Sequence, residues 1–201
     1  MSSSYKYIDP DFTYTDPKTG LLRNLQDITD PEVLLFFESG AVTKRLNELY
    51  KKPIVIKSIE NLFEIHKLLF KDIYHWAGKE RIVEISKDGK QFFPISHFGN
   101  AFKYIDTLIV EYKAISKDNK NLLAKKLAEI LDNVNYLHPF REGNGRTQRE
   151  FIRLLALQKG FSLNLNPADN KSVYERYMKG TIESDLKVLT SLILELIETN
   201  V

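Results

Sequence analysis

The chain has 201 residues, enough for one domain with a sizeable core. Hydrophobic residues make up 43% and charged residues 28%, and the net charge is only +2, which argues against nucleic acid or an anionic membrane as the main partner. The absence of cysteine excludes disulfides and thiolate metal sites. Met1–Tyr7 has no basic start with an apolar run behind it, and the apolar stretch Leu192–Ile197 is short and broken by Glu195, so a cytoplasmic protein with no membrane partner is expected.

Residues 1–28 are rich in Asp, Pro, Thr and Tyr without a steady period, and are expected to form an irregular arm packed on a domain spanning 29–201. Pro31 suits a first helical turn, and the helix it opens passes Phe36-Phe37 and reaches Tyr50 if Gly40 lies within it. Ser58 is a candidate N-cap for a helix in which Ile59, Leu62, His66, Leu69, Ile73 and Trp76 share one face, closed by Gly78. Residues 81–85 and 91–95 then read as two short strands around Lys87-Asp88-Gly89-Lys90, a hairpin turn signal. A lone hairpin is marginal in water, so it must lean on helices or exist to bind something. Helical periodicity returns over 97–115, 121–136, 145–159, 170–179 and 183–198. The expected fold is all-α, a single helical domain with one short β-hairpin.

The densest chemistry lies between two of these helices, in His138-Pro139-Phe140-Arg141-Glu142-Gly143-Asn144-Gly145-Arg146, with Arg149 three residues on. Gly143-Asn144-Gly145 opens a helix, and a helix N-terminus with a glycine turn offers free N–H groups to an anion. Arg146, Arg149 and Arg153 share one helical face, opposite Phe151, Leu154 and Leu155. Arginines in a first helical turn oppose the helix dipole, so an anion should offset them. Glu142 beside bound phosphates is suited to hold Mg²⁺, and His138 has the ordinary pKa of a general base at neutral pH. A cradle, a metal ligand and a base together describe phosphoryl-group chemistry.

This run resembles the Fic family motif, His-x-Phe-x-Asp/Glu-Gly-Asn-Gly-Arg-x-x-Arg, at every defined position. Trp76-Ala77-Gly78 with Arg81, and the stretch from Tyr14 and Asp16 through Thr19-Gly20-Leu21-Leu22 to Asn24, resemble the family as well. The resemblance implies a protein adenylyltransferase, moving AMP from ATP to a Tyr, Thr or Ser hydroxyl of a target protein. It implies His138 as base, Glu142 as Mg²⁺ ligand, and Asn144 with the Gly143 and Gly145 backbone as phosphate holders, with Arg146 and Arg149 at the β- and γ-phosphates. It also implies a flap that pairs with the target as an added strand, made here by Arg81, Ile82, Val83, Glu84, Ile85, Gln91, Phe92, Phe93 and Pro94.

Many members carry an inhibitory Ser/Thr-x-x-x-Glu-Gly/Asn helix. Here Thr107…Glu111 is followed by Tyr112 and Ser191…Glu195 by Leu196, so neither completes it. The chain therefore resembles members restrained by a separate small antitoxin protein. Elsewhere, His66 reads as a packed core histidine, His75 and His97 as structural or surface residues, and Arg153 as solvated or ion-paired. The competing functions are a low-turnover nucleotide-binding interaction protein of the toxin–antitoxin kind and transfer of another phosphate-linked group.

Overall fold

A computed structural model of the chain describes residues 5–7, 9, 11–87, 89–165 and 170–199. Residues 1–4, 8 and 10 of the expected arm, and Asp88 of the expected turn, lie outside the described residues. Seven α-helices and five short strands are described: β1 (Tyr5–Tyr7), α1 (Pro31–Lys51), α2 (Glu60–Phe70), β2 (Ile85–Lys87), β3 (Lys90–Gln91), α3 (Phe98–Ala114), α4 (Lys120–Leu137), α5 (Asn144–Gln158), β4 (Phe161–Ser162), α6 (Lys171–Glu183), α7 (Leu186–Leu196) and β5 (Glu198–Thr199). None of these helices is long and apolar enough to cross a membrane.

The centre of the molecule is α4. Asn119 caps its start by accepting from the Leu122 N–H at 3.1 Å. Leu123, Leu127, Ile130, Leu131 and Val134 are fully buried, at three- and four-residue steps. This face packs against α3, α5 and α7. The neighbouring α5 buries Phe151, Leu154 and Leu155 as its pattern predicts, and leans on α2, which in turn meets α1. Asp30 caps α1 by accepting from Glu32 and Val33, and Gly40 lies inside that helix. Arg45 joins α1 to the turn that follows α2 by a fork onto Asp72.

Three departures from the sequence reading have clear causes. The second helix stops at Phe70 instead of running toward Gly78. Ile73 and Tyr74 both bond back to the Phe70 carbonyl, and the turns that follow still send Ile73 and Trp76 into the core, so the apolar spacing outlasts the helix. The hairpin ladder covers only 85–87 and 90–91, because residues 81–84 are held by the Arg81 side chain and not by strand partners. Finally, part of the arm is regular: β1 pairs antiparallel with β2, Tyr5 opposite Lys87 and Tyr7 opposite Ile85, so the hairpin has a third strand. A second small sheet pairs β4 with β5; two-residue strands carry no readable period.

The arm between Asp9 and Ile28 is fastened to the body. The Asp9 carboxylate accepts from the N–H groups of Thr13, Tyr14 and Thr15. Tyr14 is buried edge-on to Trp76, and its hydroxyl accepts from the Ile82 N–H at 3.1 Å, next to the hairpin.

Candidate active site

His138 is the C-cap of α4, with its backbone in the left-handed region at φ 44°. Only Gly visits that region freely, so the loop must hold this residue there. Its ring Nδ1 lies 3.1 Å from the Asn135 carbonyl. A carbonyl only accepts, so Nδ1 carries the proton and Nε2 the lone pair. The ring stacks on Phe92 of the hairpin at 3.7 Å between centroids. Burial pushes the His138 pKa down to about 3; the Arg81 and Lys87 cations add to this and the Asn135 hydrogen bond opposes it. The imidazole is therefore neutral at physiological pH.

The loop from Pro139 to Gly143 is stapled from inside. Asn144 accepts from the Phe140 N–H at 3.0 Å and donates to the Phe140 carbonyl at 2.8 Å. The side-chain oxygen and one of the two amide N–H groups of Asn144 are thus engaged by the loop. His66 is a core residue, as its helical face predicts. Gly78 N–H donates to its Nδ1 at 2.8 Å, so its Nε2–H donates to the Glu142 carbonyl at 3.0 Å. Its ring lies against Phe140, and burial pushes its pKa down to about 3.

Gly143 begins α5 at φ 81°, and a Cβ there would stand 2.3 Å from Phe70 Cζ. Both the conformation and the contact demand glycine. No side chain caps this helix, so the N–H groups of its first turn stay open to an anion. Arg149 folds back over this end, its Nη1 3.3 Å from where a Gly145 Cβ would be.

The three arginines of the shared face differ. Arg146 Nη2 is 2.6 Å from Glu38 of α1, whose other oxygen accepts from the Tyr74 hydroxyl, and the guanidinium lies over the Phe70 ring. Arg153 pairs with Glu150 at 2.7 Å, the second of the two states, solvated or ion-paired, expected of it. Among the described residues Arg149 has no ion pair; its guanidinium sits 5.4 Å from the Tyr177 ring centre. Glu38 was not singled out by sequence, although a signal exists. It falls between Leu34 and Val42 on the buried stripe of α1, where a carboxylate needs a partner.

His138, Gly145, Arg149, Lys87, Gln91 and Phe92 face one cavity of about 310 Å³, with Gln148 and Tyr177 on its far wall. Lys90 at the hairpin tip reaches across to the Ile182 carbonyl of α6. Arg146 lies outside this cavity. It lines a smaller one, of about 110 Å³, with Arg149 and Arg153.

Glu142 lies at the mouth of the loop, with Oε1 accepting from the Gly143 N–H at 2.9 Å. Oε2 has no hydrogen bond to the described residues. No group of three or more His, Asp or Glu that could hold a metal exists among the described residues. One carboxylate beside an anion-accepting helix end fits Mg²⁺ held jointly with a bound triphosphate, and not a cation held by protein alone.

The expected flap residues divide into two sets. Arg81, Val83 and Ile85 are buried, Arg81 at 0% exposure, and their side chains offer no surface to a partner. This corrects the reading that runs all nine together. The inward pull of the Arg81 guanidinium, which grips the Val83 carbonyl, turns this stretch so that these three face the core. Ile82, at 66%, together with Glu84, Gln91 and Pro94, is exposed, and Phe92 and Phe93 are half-buried.

A family model described as the Fic/DOC family matches residues 57–156. The Bartonella schoenbuchensis "Protein adenylyltransferase VbhT" is 34% identical over 84% of this chain; the match spans 35% of that protein, about a third of its length. The Sinorhizobium fredii "Probable protein adenylyltransferase y4lH" is 30% identical over 84% of this chain and 85% of its own. Among solved structures, the Bartonella tribocorum BepC protein with bound AMPPNP superposes with a TM-score of 0.79 at 21% identity, covering 94% of this chain and 97% of that one, a likeness of fold. On motif, relatives and fold alike, the chain belongs to the Fic/DOC family.

Proposed function

We propose that the protein is an adenylyltransferase that moves AMP from ATP to a hydroxyl side chain of a target protein. The observation that carries this is the shared cavity. His138 and Arg149 face it together, at the uncapped N-terminus of α5. The names of the relatives, protein adenylyltransferases, agree with it.

In this reading the first-turn N–H groups of α5 and the Arg149 guanidinium bind the phosphates. The Arg146 guanidinium, held by Glu38 and lining the adjoining smaller cavity with Arg149, is the second arginine assigned to the β- and γ-phosphates. The target hydroxyl oxygen attacks the α-phosphorus, its proton passes to His138 Nε2, and the bond to the bridging oxygen breaks to release pyrophosphate. The tautomer fixed by Asn135 leaves the accepting nitrogen ready, a role worth about 10²–10⁴ in rate. Glu142 Oε2 is the group suited to hold Mg²⁺, which when bound would neutralise charge on the phosphates. The hairpin presents the target: β3 is an edge strand of its sheet, and an edge strand can accept another strand.

A separate antitoxin is the regulator this reading favours. Glu111 is committed to Lys126 and Glu195 to Arg176, so neither carboxylate of the two incomplete inhibitory patterns engages Arg149. The test of the activity is incubation with ATP, Mg²⁺ and cell lysate, using α- and γ-labelled ATP in parallel. Target labelling from the α-position alone, lost in His138→Ala, is the expected result. Labelling from the γ-position, or equal labelling by the variant, overturns it.

A further inference from the structure

Among the described residues Arg81 is the one charged side chain at 0% exposure, and its guanidinium touches three segments. Nε donates to the His138 carbonyl at 2.9 Å. Nη1 donates to the Val83 carbonyl at 2.8 Å and to Glu84 at 3.0 Å, and Nη2 donates to the Phe93 carbonyl at 2.6 Å. The Arg81 backbone N–H adds a bond to the Pro139 carbonyl at 2.7 Å. One planar group thus spans both roots of the hairpin and the peptide of His138, and its fork fixes their separations in a way a lysine ammonium cannot.

The rest of the hairpin–His138 contact follows from that grip. Phe93 N–H bonds to the Tyr136 carbonyl, two residues before His138, and Phe92 stacks on the imidazole. The left-handed His138 backbone is unfavourable for a residue with a Cβ, and its carbonyl is held where Arg81 awaits it.

We propose that Arg81 is a positioning residue for group transfer: by gripping the carbonyls of His138, Val83 and Phe93 together it fixes the base relative to the hairpin that presents the acceptor. This rests on the reading of His138 as the base, and its test does not depend on activity.

The experiment compares Arg81→Lys with Arg45→Lys, which weakens a fork that joins α1 to the turn after α2. Nuclear magnetic resonance follows the His138 ring nitrogens, assigned through His138→Ala, and the exchange of the hairpin amides. In Arg81→Lys the His138 ring-nitrogen shifts move away from their wild-type values, and the Phe92 and Phe93 amides exchange at least about tenfold faster. In Arg45→Lys both stay near wild type at a comparable loss of stability. Faster hairpin exchange with an unchanged His138 signature overturns the proposal, as does a fall in stability that moves neither. Should Arg81→Lys not fold, native-state exchange of the wild type decides. The amides of Arg81, Phe93 and His138 are expected to open as one unit with a common urea dependence, and separate openings overturn the proposal.

Discussion

Residues 138–149 and residues 81–94 face the same cavity, yet they are secured differently. The first segment is fastened at nearly every residue: Asn144 onto Phe140, His66 onto Glu142, Phe70 beneath Gly143, Glu38 onto Arg146. The second is fastened at its root by Arg81 and at its tip by Lys90, with exposed side chains such as Ile82 and Gln91 between. A site that must position phosphates within fractions of an ångström needs the first construction. A surface that accepts a strand through backbone groups tolerates the second.

The sharpest way to break the contrast is to remove the base. His138→Ala should lower transfer of labelled AMP by about 10²–10⁴. Its far-ultraviolet circular dichroism should match wild type; a variant that still labels targets at the wild-type rate would remove His138 from that role.

Next in size is Gly143→Val. The side chain would collide with Phe70 and hold a β-branched residue at φ 81°. The expected loss is about 2–5 kcal/mol from overpacking and backbone strain together. Urea unfolding measures it, and a midpoint equal to wild type would show that the loop relaxes freely, against the contrast drawn here.

Acid should loosen the fastened segment first. His66 and His138 both have folded pKa values of about 3, below the ordinary value near 6.5 of an unfolded chain. Their contribution is complete above about pH 6.5 and is lost progressively as pH falls from there toward about 3, because the unfolded chain takes up protons that the folded chain refuses. By pH 5 each should cost about 1–2 kcal/mol. Urea midpoints at pH 7 and pH 5 report the slope, and His66→Gln should reduce it by about half; an unreduced slope would acquit His66.

The smallest effect belongs to the hairpin's open face. Ile82→Ser should change stability by no more than about 0.5 kcal/mol, as surface substitutions commonly do. Its effect should fall on the KM for a target and not on ATP affinity measured by calorimetry. A larger loss of stability would mean that Ile82 packs as its buried neighbours do.

The contrast also explains how much could be read from the chain. Helix positions followed from apolar spacing, since one face of α4 or α5 decides the matter locally. The family of the motif was legible because residue type and order suffice there. Partnerships across long sequence separations were invisible. Nothing near Arg146 points to Glu38, more than a hundred positions away, and nothing near Arg81 says that its guanidinium turns inward onto His138. The strand β1 was hidden for a related reason: three residues carry no period, and they become a strand only when β2 offers an edge.

The ring of Phe92 over His138 has a further consequence. An imidazole roofed by an aromatic face and sunk in the protein has few solvent molecules to activate. On the proposed reading of His138 as the base, this cover is expected to slow ATP hydrolysis in the absence of a target.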